Sequence, residues 1–192
     1  LIRLLVDWGG FVKDLHGNKK MYYQVNTTYY NALGENEQAL LLARALQIFM
    51  PGKPQVWYLD LFAGSNDYEA VKRAGAGGHK EINRTNLSQK DIESRLEKKV
   101  VKKQLEMLKF RKEFPAFGFD AEMTIRTKPA AQISAQAENA LHFAEVPADQ
   151  MYNRIYIIWK KDGYLARLSA DLKAHTYRIQ ALDPSGNLVW QS

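Results

Sequence analysis

The sequence predicts two parts of different fold class, an α/β part over residues 1–117 and an all-β part over residues 118–192. In the first part, segments with helical periodicity flank a short continuous apolar run, which is typical of a strand buried on both faces. After Gly118 the apolar residues alternate with polar ones, which is the pattern of antiparallel strands. The 192-residue chain is 46% apolar and 25% charged, as expected of an ordinary folded protein.

Composition excludes several classes of function. The chain has no cysteine, so a disulfide scaffold, a thiolate zinc site and a cysteine nucleophile are excluded. Its four histidines lack the spacing of metal ligands, and no nucleotide-binding motif is complete. We therefore expect neither a metal site nor a cofactor.

Charge and hydropathy bear on partners and location. The formal charge is +6, and the lysines concentrate in the helical segment 98–112, where they alternate with core-directed residues. This is typical of a solvated helix face, so no nucleic-acid partner is expected. No apolar run reaches the roughly 18 residues that a membrane-spanning helix needs. Because Arg3 and Asp7 interrupt the first apolar stretch, it is not a signal peptide, and we expect a cytoplasmic protein without a membrane partner.

The elements of the first part follow in chain order. Residues 9–34 are rich in Gly, Asn, Thr and Tyr and are predicted to be irregular. Residues 35–50 are apolar on nearly all sides, which predicts a deeply packed helix that the following sequence PGKP ends. Residues 55–62 (QVWYLDLF) predict the buried strand. Residues 63–87 predict a long glycine-rich loop, and loops of that length are usually functional.

A helical region and the β part complete the chain. Ser88 is predicted to cap a helix, or a pair of helices, that extends to Glu113. Beyond Gly118, turn signals at residues 162–163 and 183–187 separate short strands. The predicted strands cover residues 121–126, 131–136, 140–146, 153–160, 164–170, 175–182 and 188–191.

The single buried strand of the α/β part needs neighbours. Its backbone donors and acceptors require adjacent parallel strands, and the sequence predicts none in residues 1–117. The chain also begins at Leu1, within an apolar run and without an initiator methionine. We therefore expect that a large N-terminal part of the fold lies outside these 192 residues.

The long loop contains the best candidate for a binding site. It follows the C-terminal end of the predicted strand, where barrel folds build their active sites. Within it, Arg84 is accompanied by Asn83, Thr85 and Asn86. An arginine among short polar residues suits recognition of hydroxyl groups or anions.

An ordered series of short motifs resembles a known family. The motifs are YQVNTTYYNALG at 23–34, ARA at 43–45, PGKPQV at 51–56, AGSND at 63–67, INR at 82–84, VV at 100–101, FR at 110–111 and PAF at 115–117. In this order and spacing they closely resemble the C-terminal third of the sucrose phosphorylase family, within the α-amylase superfamily.

The resemblance implies a (β/α)8 barrel followed by a C-terminal antiparallel β domain. Residues 35–50 would be the seventh barrel helix, residues 55–62 the eighth strand and residues 90–113 the eighth helix. The family transfers a glucosyl group to phosphate by double displacement with retention, using a nucleophile, an acid/base and a stabilising group that are all carboxylates. These belong to upstream strands in the family, so no catalytic residue is expected here, and the chain alone should be inactive.

The resemblance also assigns binding residues. Arg84 matches the arginine that helps to fix the transferred glucose, where its planar fork can pair a carboxylate and reach a hydroxyl. Tyr23 and Gln24 match a pair in a mobile loop that serves the acceptor site, for phosphate and for the leaving sugar respectively. With Lys20 and Asn83, these residues form the predicted substrate-binding set, which includes no metal ligand.

Three departures from the family pattern bear on the acceptor. Lys20-Met21 stands where sucrose-specific members have Leu-Asp, Thr85-Asn86-Leu87 where they have His-Tyr-Tyr, and Asp60 where they have glycine. The loss of an acid and the gain of lysines argue against plain fructose, and Lys19 or Lys20 would suit a phosphorylated sugar or glycerate. The same lysines fit a solvated loop equally well. The sequence after Arg84 is closer to relatives that act on glucosylglycerate.

The leading hypothesis is the C-terminal part of a retaining α-glucosyl phosphorylase. It would release glucose 1-phosphate from a small glucoside, which is sucrose-like, glucosylglycerate or a phosphorylated sugar. Its partners would be inorganic phosphate, this glucoside and the missing N-terminal barrel portion. One alternative is an α-glucosidase or transglucosidase of the same superfamily. Another is a non-catalytic carbohydrate-binding β module, with Trp159, Tyr164 and Trp190 as sugar platforms.

Overall fold

The computed structural model describes residues 1–15, 18–126 and 153–192, and for residues 14, 15 and 18–21 the backbone alone. Within these ranges, residues 1–113 are mostly helical and the later ones form antiparallel strands. The chain divides into two compact units. The first unit is Leu1–Leu41 with Gln55–Glu106, and the second unit is Leu42–Pro54 with Met107–Ser192. The domain division at residue 117 stays a prediction.

The first 34 residues are largely regular, so the prediction of an irregular segment over residues 9–34 was wrong. Helix α1 (Ile2–Asp7) precedes an antiparallel hairpin of strands β1 (Phe11–Leu15) and β2 (Asn18–Asn26), and helix α2 (Tyr29–Ala32) follows. In the hairpin, Val12 pairs with Val25 and Lys13 with Gln24. Tyr and Thr suit a strand as well as they suit a loop, so composition alone could not decide the structure.

The predicted packed helix over residues 35–50 is confirmed as α3 (Glu37–Phe49). Leu40, Ala45, Ile48 and Phe49 are each fully buried, which agrees with apolar residues on nearly every side of the helix.

Residues 55–62 do not form the predicted strand. Half of this run belongs to helix α4 (Tyr58–Leu61), in which the N–H of Leu61 donates to the carbonyl of Trp57 at 3.0 Å. The sheets in the described ranges contain only β1 with β2 and the five strands of the second unit, so no strand lies beside this run. A helix satisfies its backbone groups locally, whereas a strand without neighbours cannot. Leu59 is buried at 1% exposure, whereas Trp57 is 51% exposed, so the run is not covered on both faces within the described ranges.

The predicted loop over residues 63–87 contains two helices. They are α5 (Tyr68–Ala74) and a 310 helix (Gly78–Asn83). Asp67 caps α5, because its Oδ1 accepts a hydrogen bond from the N–H of Ala70 at 2.8 Å. The segment is therefore more ordered than its glycine content indicated.

The predicted cap at Ser88 is confirmed. Its hydroxyl accepts from the N–H of Asp91 at 3.2 Å, and the Asp91 carboxylate accepts from the N–H of Ser88 at 3.0 Å, which completes a capping box. Helices α6 (Gln89–Leu96) and α7 (Lys99–Glu113) follow, so the helical region is a pair that ends at the expected residue.

Five of the predicted β-part strands are confirmed. They are β3 (Glu122–Arg126), β4 (Arg154–Lys161), β5 (Tyr164–Asp171), β6 (Thr176–Leu182) and β7 (Leu188–Gln191), and they form one antiparallel sheet in chain order. The other two predicted strands, residues 131–136 and 140–146, lie outside the described residues.

The aromatic rings proposed as sugar platforms are used for packing within the second unit. Trp159 is 5% exposed, and its indole N–H donates to the carbonyl of Phe49 at 2.8 Å. Trp190 stacks on Phe110 with ring centroids 4.2 Å apart, and Tyr164 meets Phe114 edge-on at 5.8 Å. Trp159 is buried, and the half-buried Trp190 and Tyr164 each use part of the ring for packing, which favours a packing role over the carbohydrate-binding alternative.

Candidate functional site

A cleft in the first unit collects three of the residues that the sequence analysis selected. Its volume is about 430 Å³. The end of β2, the turn before α2, helix α4 and the 310 helix supply its lining. The lining residues are Gln24, Val25, Asn26, Thr27, Thr28, Tyr29, Ala32, Trp57, Asp60, Lys80, Asn83 and Arg84. Of the predicted set, Gln24, Asn83 and Arg84 therefore face one space.

Two glycines direct the 310 helix to this position. Gly77 has a φ of +85°, a left-handed conformation that glycine adopts without steric cost. Gly78 is buried, and a Cβ on it would lie 2.5 Å from the Cβ of Ala74. The helix that follows contacts both strands of the hairpin, so its C-terminal end meets the end of β2.

Arg84 stands at the C-terminal end of the 310 helix with its side chain 54% exposed. Its Nη1 lies 3.5 Å from Oε1 of Glu81, its one ion-pair partner among the described residues. An exposed pair at this distance contributes only about 0–1 kcal/mol to stability. Most of the five guanidinium donors therefore stay available for a ligand.

The residues on either side of Arg84 are fixed by hydrogen bonds. The side-chain amide of Asn83 donates to the carbonyl of Thr27 at 3.2 Å. Thr85 donates through its hydroxyl to Asp67 Oδ2 at 3.0 Å, and its carbonyl accepts from the hydroxyl of Tyr58 at 2.6 Å. Arg84 thus projects from a backbone held at both neighbours.

The pKa of Asp67 is lowered from its ordinary value. The main cause is the hydrogen bond from the N–H of Ala70, and the hydroxyl of Thr85 acts in the same direction. Both bonds favour the ionised carboxylate, so Asp67 serves as an acceptor that fixes α5 and Thr85.

The predicted pair Tyr23 and Gln24 is not brought together. Successive side chains of a strand point to opposite faces, and only Gln24 lines the cleft. Tyr23 is 64% exposed, and the Nζ of Lys13 lies 5.9 Å from its ring centroid. Lys20 belongs to β2, but its side chain is outside the described part of the chain.

Three lining residues were missed by the sequence analysis. Asp60 accepts through Oδ1 from the N–H of Tyr29 at 3.0 Å, and Trp57 donates through its indole N–H to the carbonyl of Asn83 at 3.3 Å. Lys80 is half-buried and makes no ion pair in the ranges that the structure describes. Asp60 carried a signal, since it is the one charged residue of the apolar run 55–62. Lys80 carried none beyond its place in the long loop.

The arrangement supports binding rather than bond cleavage. The lining has one carboxylate, Asp60, and two cations, Lys80 and Arg84. Glycosidic displacement uses two carboxyl groups that are about 5–10 Å apart on opposite sides of the scissile bond. The cleft can therefore recognise hydroxyl groups and anions, and a second carboxyl would have to come from another part of the protein.

The described ranges contain neither a metal-binding cluster nor a membrane-spanning helix. No three His, Asp or Glu side chains there come together in a way that could hold a metal ion. No helix there is both long and apolar enough to cross a bilayer.

Comparison with known proteins gives a consistent result. No protein-family model matches the chain. It is 47% identical over 174 residues to a sucrose 6(F)-phosphate phosphorylase of Ilumatobacter coccineus, and the aligned region covers 89% of this chain and 33% of that protein. It is 42% identical over 161 residues to a glucosylglycerol phosphorylase of Marinobacter adhaerens, and this aligned region covers 84% of this chain and 28% of that protein.

A solved structure agrees with the sequence relatives. The crystal structure of sucrose 6F-phosphate phosphorylase from Thermoanaerobacter thermosaccharolyticum matches all of this chain with a TM-score of 0.79 and 34% identity. The chain is homologous to the C-terminal third of a sucrose phosphorylase. The family resemblance is thereby confirmed, and so is the predicted fold class, the C-terminal part of an amylase-type protein ending in an antiparallel β domain. The chain spans about a third of the length of these sucrose phosphorylase relatives.

Proposed function

We propose that this chain is the C-terminal part of a retaining α-glucosyl phosphorylase, a glycosyltransferase that releases glucose 1-phosphate from a small glucoside. One observation carries the proposal. Gln24, Asn83 and Arg84 line a single cleft in a chain that is 47% identical to a sucrose 6(F)-phosphate phosphorylase. In this proposal residues 1–117 complete a (β/α)8 barrel, residues 118–192 form the appended β domain, and the protein is cytoplasmic.

The chemical step needs groups from the rest of the protein. A retaining enzyme uses a carboxylate nucleophile and a carboxylic acid/base about 5–5.5 Å apart. The cleft has only Asp60, whose carboxylate is bound to the N–H of Tyr29. This chain therefore supplies recognition, and the missing barrel portion supplies both reacting carboxyl groups.

Each binding residue has a distinct part in this scheme. Arg84 holds the glucosyl group that is transferred, because its fork can bind a hydroxyl and a carboxylate at once. Gln24 and Asn83 bind hydroxyl groups through their side-chain amides, Gln24 on the leaving sugar. Tyr23 contacts phosphate after a movement of the hairpin, since its side chain now points away from the cleft.

The leaving group is proposed to carry negative charge. Lys80 and Arg84 outnumber the one carboxylate of the cleft lining. A phosphorylated sugar and glycerate both satisfy this condition, and both are neutralised by lysine as a point charge. Neutral fructose or glycerol would leave the charge of Lys80 without a partner.

The apolar surface of α1 supports the missing portion as a partner. None of the α1 residues is buried, and Leu4, Val6 and the adjoining Trp8 are 45%, 40% and 41% exposed. A helix of six residues is marginal in water unless it packs against other structure. In this proposal the remaining barrel covers this side of the first unit.

A substrate panel tests the function. The complete protein is incubated with sucrose, sucrose 6F-phosphate, glucosylglycerol and glucosylglycerate, each with and without inorganic phosphate, and glucose 1-phosphate and glucose are measured. We expect phosphate-dependent release of glucose 1-phosphate, with the highest kcat/KM for an anionic glucoside and no turnover by the 192-residue chain alone. Free glucose without phosphate dependence would identify a hydrolase, and transfer to another sugar a transglucosidase.

A further inference from the structure

Asn66 connects several distant segments of the first unit through its hydrogen bonds. Its Oδ1 accepts from the N–H of Thr28 at 2.7 Å and from the hydroxyl of Thr27 at 3.2 Å. Its Nδ2 donates to the carbonyl of Gly9 at 3.3 Å. Its backbone N–H donates to Oδ1 of Asn31 at 2.7 Å, which fixes the Asn66 main chain itself.

These hydrogen bonds join Asn66 to the residues on both sides of the β1–β2 hairpin. Gly9 lies just before β1, which begins at Phe11, and Thr27 and Thr28 lie just after β2, which ends at Asn26. One half-buried side chain therefore joins the point where the chain enters the hairpin to the point where it leaves. The hairpin carries Tyr23 and Gln24, the residues proposed to act on the acceptor side.

We infer that Asn66 is a positioning residue that fixes the base of the β1–β2 hairpin and thereby the orientation of Gln24 in the cleft. This inference rests on the proposed function for its kinetic consequence, but not for its structural one. An asparagine suits the task because its side chain presents an acceptor and a donor at the same time. Arg84 follows the 310 helix, and its neighbour Thr85 is held by Asp67, which is not a partner of the Asn66 side chain, so we expect the position of Arg84 to depend less on Asn66.

A second contact to the entrance of the hairpin provides the matched control. The hydroxyl of Tyr68 donates to the carbonyl of Gly9 at 3.1 Å and accepts from Nδ2 of Asn66 at 3.4 Å, and it makes no contact with Thr27 or Thr28 among the hydrogen bonds of the described residues. Tyr68→Phe removes both bonds, keeps the ring and leaves the bonds of Asn66 Oδ1 in place. It therefore weakens the entrance of the hairpin and leaves the exit intact.

Hydrogen exchange in the complete protein tests the structural claim without reference to activity. In Asn66→Ala we expect amide exchange at Thr28 and along β2 to be at least about tenfold faster, because two hydrogen bonds to the exit are lost. Exchange in α7 should not change. Asn66→Asp keeps an acceptor for Thr28, so exchange there should stay within about threefold of wild type. Tyr68→Phe should leave Thr28 unchanged.

Kinetics of the synthetic direction, from glucose 1-phosphate and an acceptor, test the consequence for the site. Asn66→Ala should raise KM for the acceptor about tenfold and change KM for glucose 1-phosphate less than about threefold. Asn66→Asp should recover most of the acceptor affinity. Loss of folded enzyme alone would lower kcat and leave both KM values unchanged.

The outcomes separate the two proposals. Wild-type exchange at Thr28 in Asn66→Ala, or equal rises of both KM values, would overturn the positioning role. If the wild-type protein has no phosphorylase activity, the proposed function fails, and the exchange result still decides the role of Asn66. If Asn66→Ala does not fold, slow exchange at Thr28 in Asn66→Asp supports the inference and fast exchange contradicts it.

Discussion

Replacing Arg84 by lysine in the complete protein should separate recognition from stability. The side chain is 54% exposed, and its ion pair with Glu81 spans 3.5 Å between half-exposed groups. Such a pair contributes at most a few tenths of a kcal/mol after solvent screening, and lysine can replace it. The free energy of unfolding should therefore change by less than about 0.5 kcal/mol.

Activity should respond far more strongly than stability. Lysine keeps the charge of Arg84 but loses the planar fork that can bind a hydroxyl and a carboxylate together. We expect kcat/KM to fall at least about a hundredfold, which is roughly 2.7 kcal/mol of transition-state binding. The loss should be the same for every glucoside, because the transferred glucosyl group is common to all of them.

The assay measures kcat/KM for phosphorolysis with three glucosides, together with the Tm of each variant. Glu81→Gln is the control, because it removes the ion pair and keeps the guanidinium, and its kcat/KM should stay within about threefold of wild type. If Arg84→Lys also stays within about threefold, Arg84 is only a surface residue of the loop. A loss that differs strongly between glucosides would instead assign Arg84 to the leaving group.

Three further predictions concern other parts of the chain. Gln24→Ala should change the ratio of kcat/KM between glucosides about tenfold, since one hydrogen bond to the leaving sugar is lost, and the substrate panel measures this. Asp67→Asn should lower Tm at pH 7. The pKa of Asp67 is lowered mainly by the N–H of Ala70, so its contribution is present above the unfolded pKa of about 3.9 and is lost as pH falls through the lower folded pKa. The Tm difference from wild type should therefore shrink below about pH 4, as a pH series of melting curves would record. Trp159→Phe should destabilise the protein by about 2–4 kcal/mol in urea unfolding, because the buried carbonyl of Phe49 loses its donor and the smaller ring leaves a void.

Helices α3, α6 and α7 and the strands of the β part could be predicted because their signals are local, whereas the β1–β2 hairpin and the helices of residues 63–87 were missed. The cap at Ser88 lies three residues from its partner Asp91, and the β part repeats its alternation strand by strand. The strand prediction over residues 55–62 failed for the opposite reason. An apolar run becomes a buried strand only when neighbouring strands accept its backbone groups, and within the described ranges the run forms helix α4 instead. Burial is also less complete than the pattern indicated, since Leu59 is buried but Trp57 is 51% exposed.

The sequence predicted which residues belong to the candidate site, but it did not predict how their side chains are arranged. Arg84, Asn83 and Gln24 were selected by the family resemblance, and they line one cleft. Tyr23 and Gln24 were both assigned to the acceptor site by the family resemblance, yet adjacent residues of a strand point to opposite faces. Since residues 9–34 were expected to be irregular, the strand that separates these two side chains could not be anticipated.

Asn66 could not be selected from the sequence, because several of its partners are backbone groups far away along the chain. Two of its side-chain contacts are with the backbone N–H of Thr28 and the carbonyl of Gly9, and backbone groups carry no sequence signature. An asparagine in a polar loop is usually interpreted as a turn residue, because its short side chain commonly bonds to a neighbouring backbone group. Here the bonded groups are 38 and 57 residues away along the chain. Substituting Thr28 would leave its backbone N–H in place, whereas substituting Asn66 removes the side-chain acceptor and donor, so this part of the connection depends on the identity of residue 66.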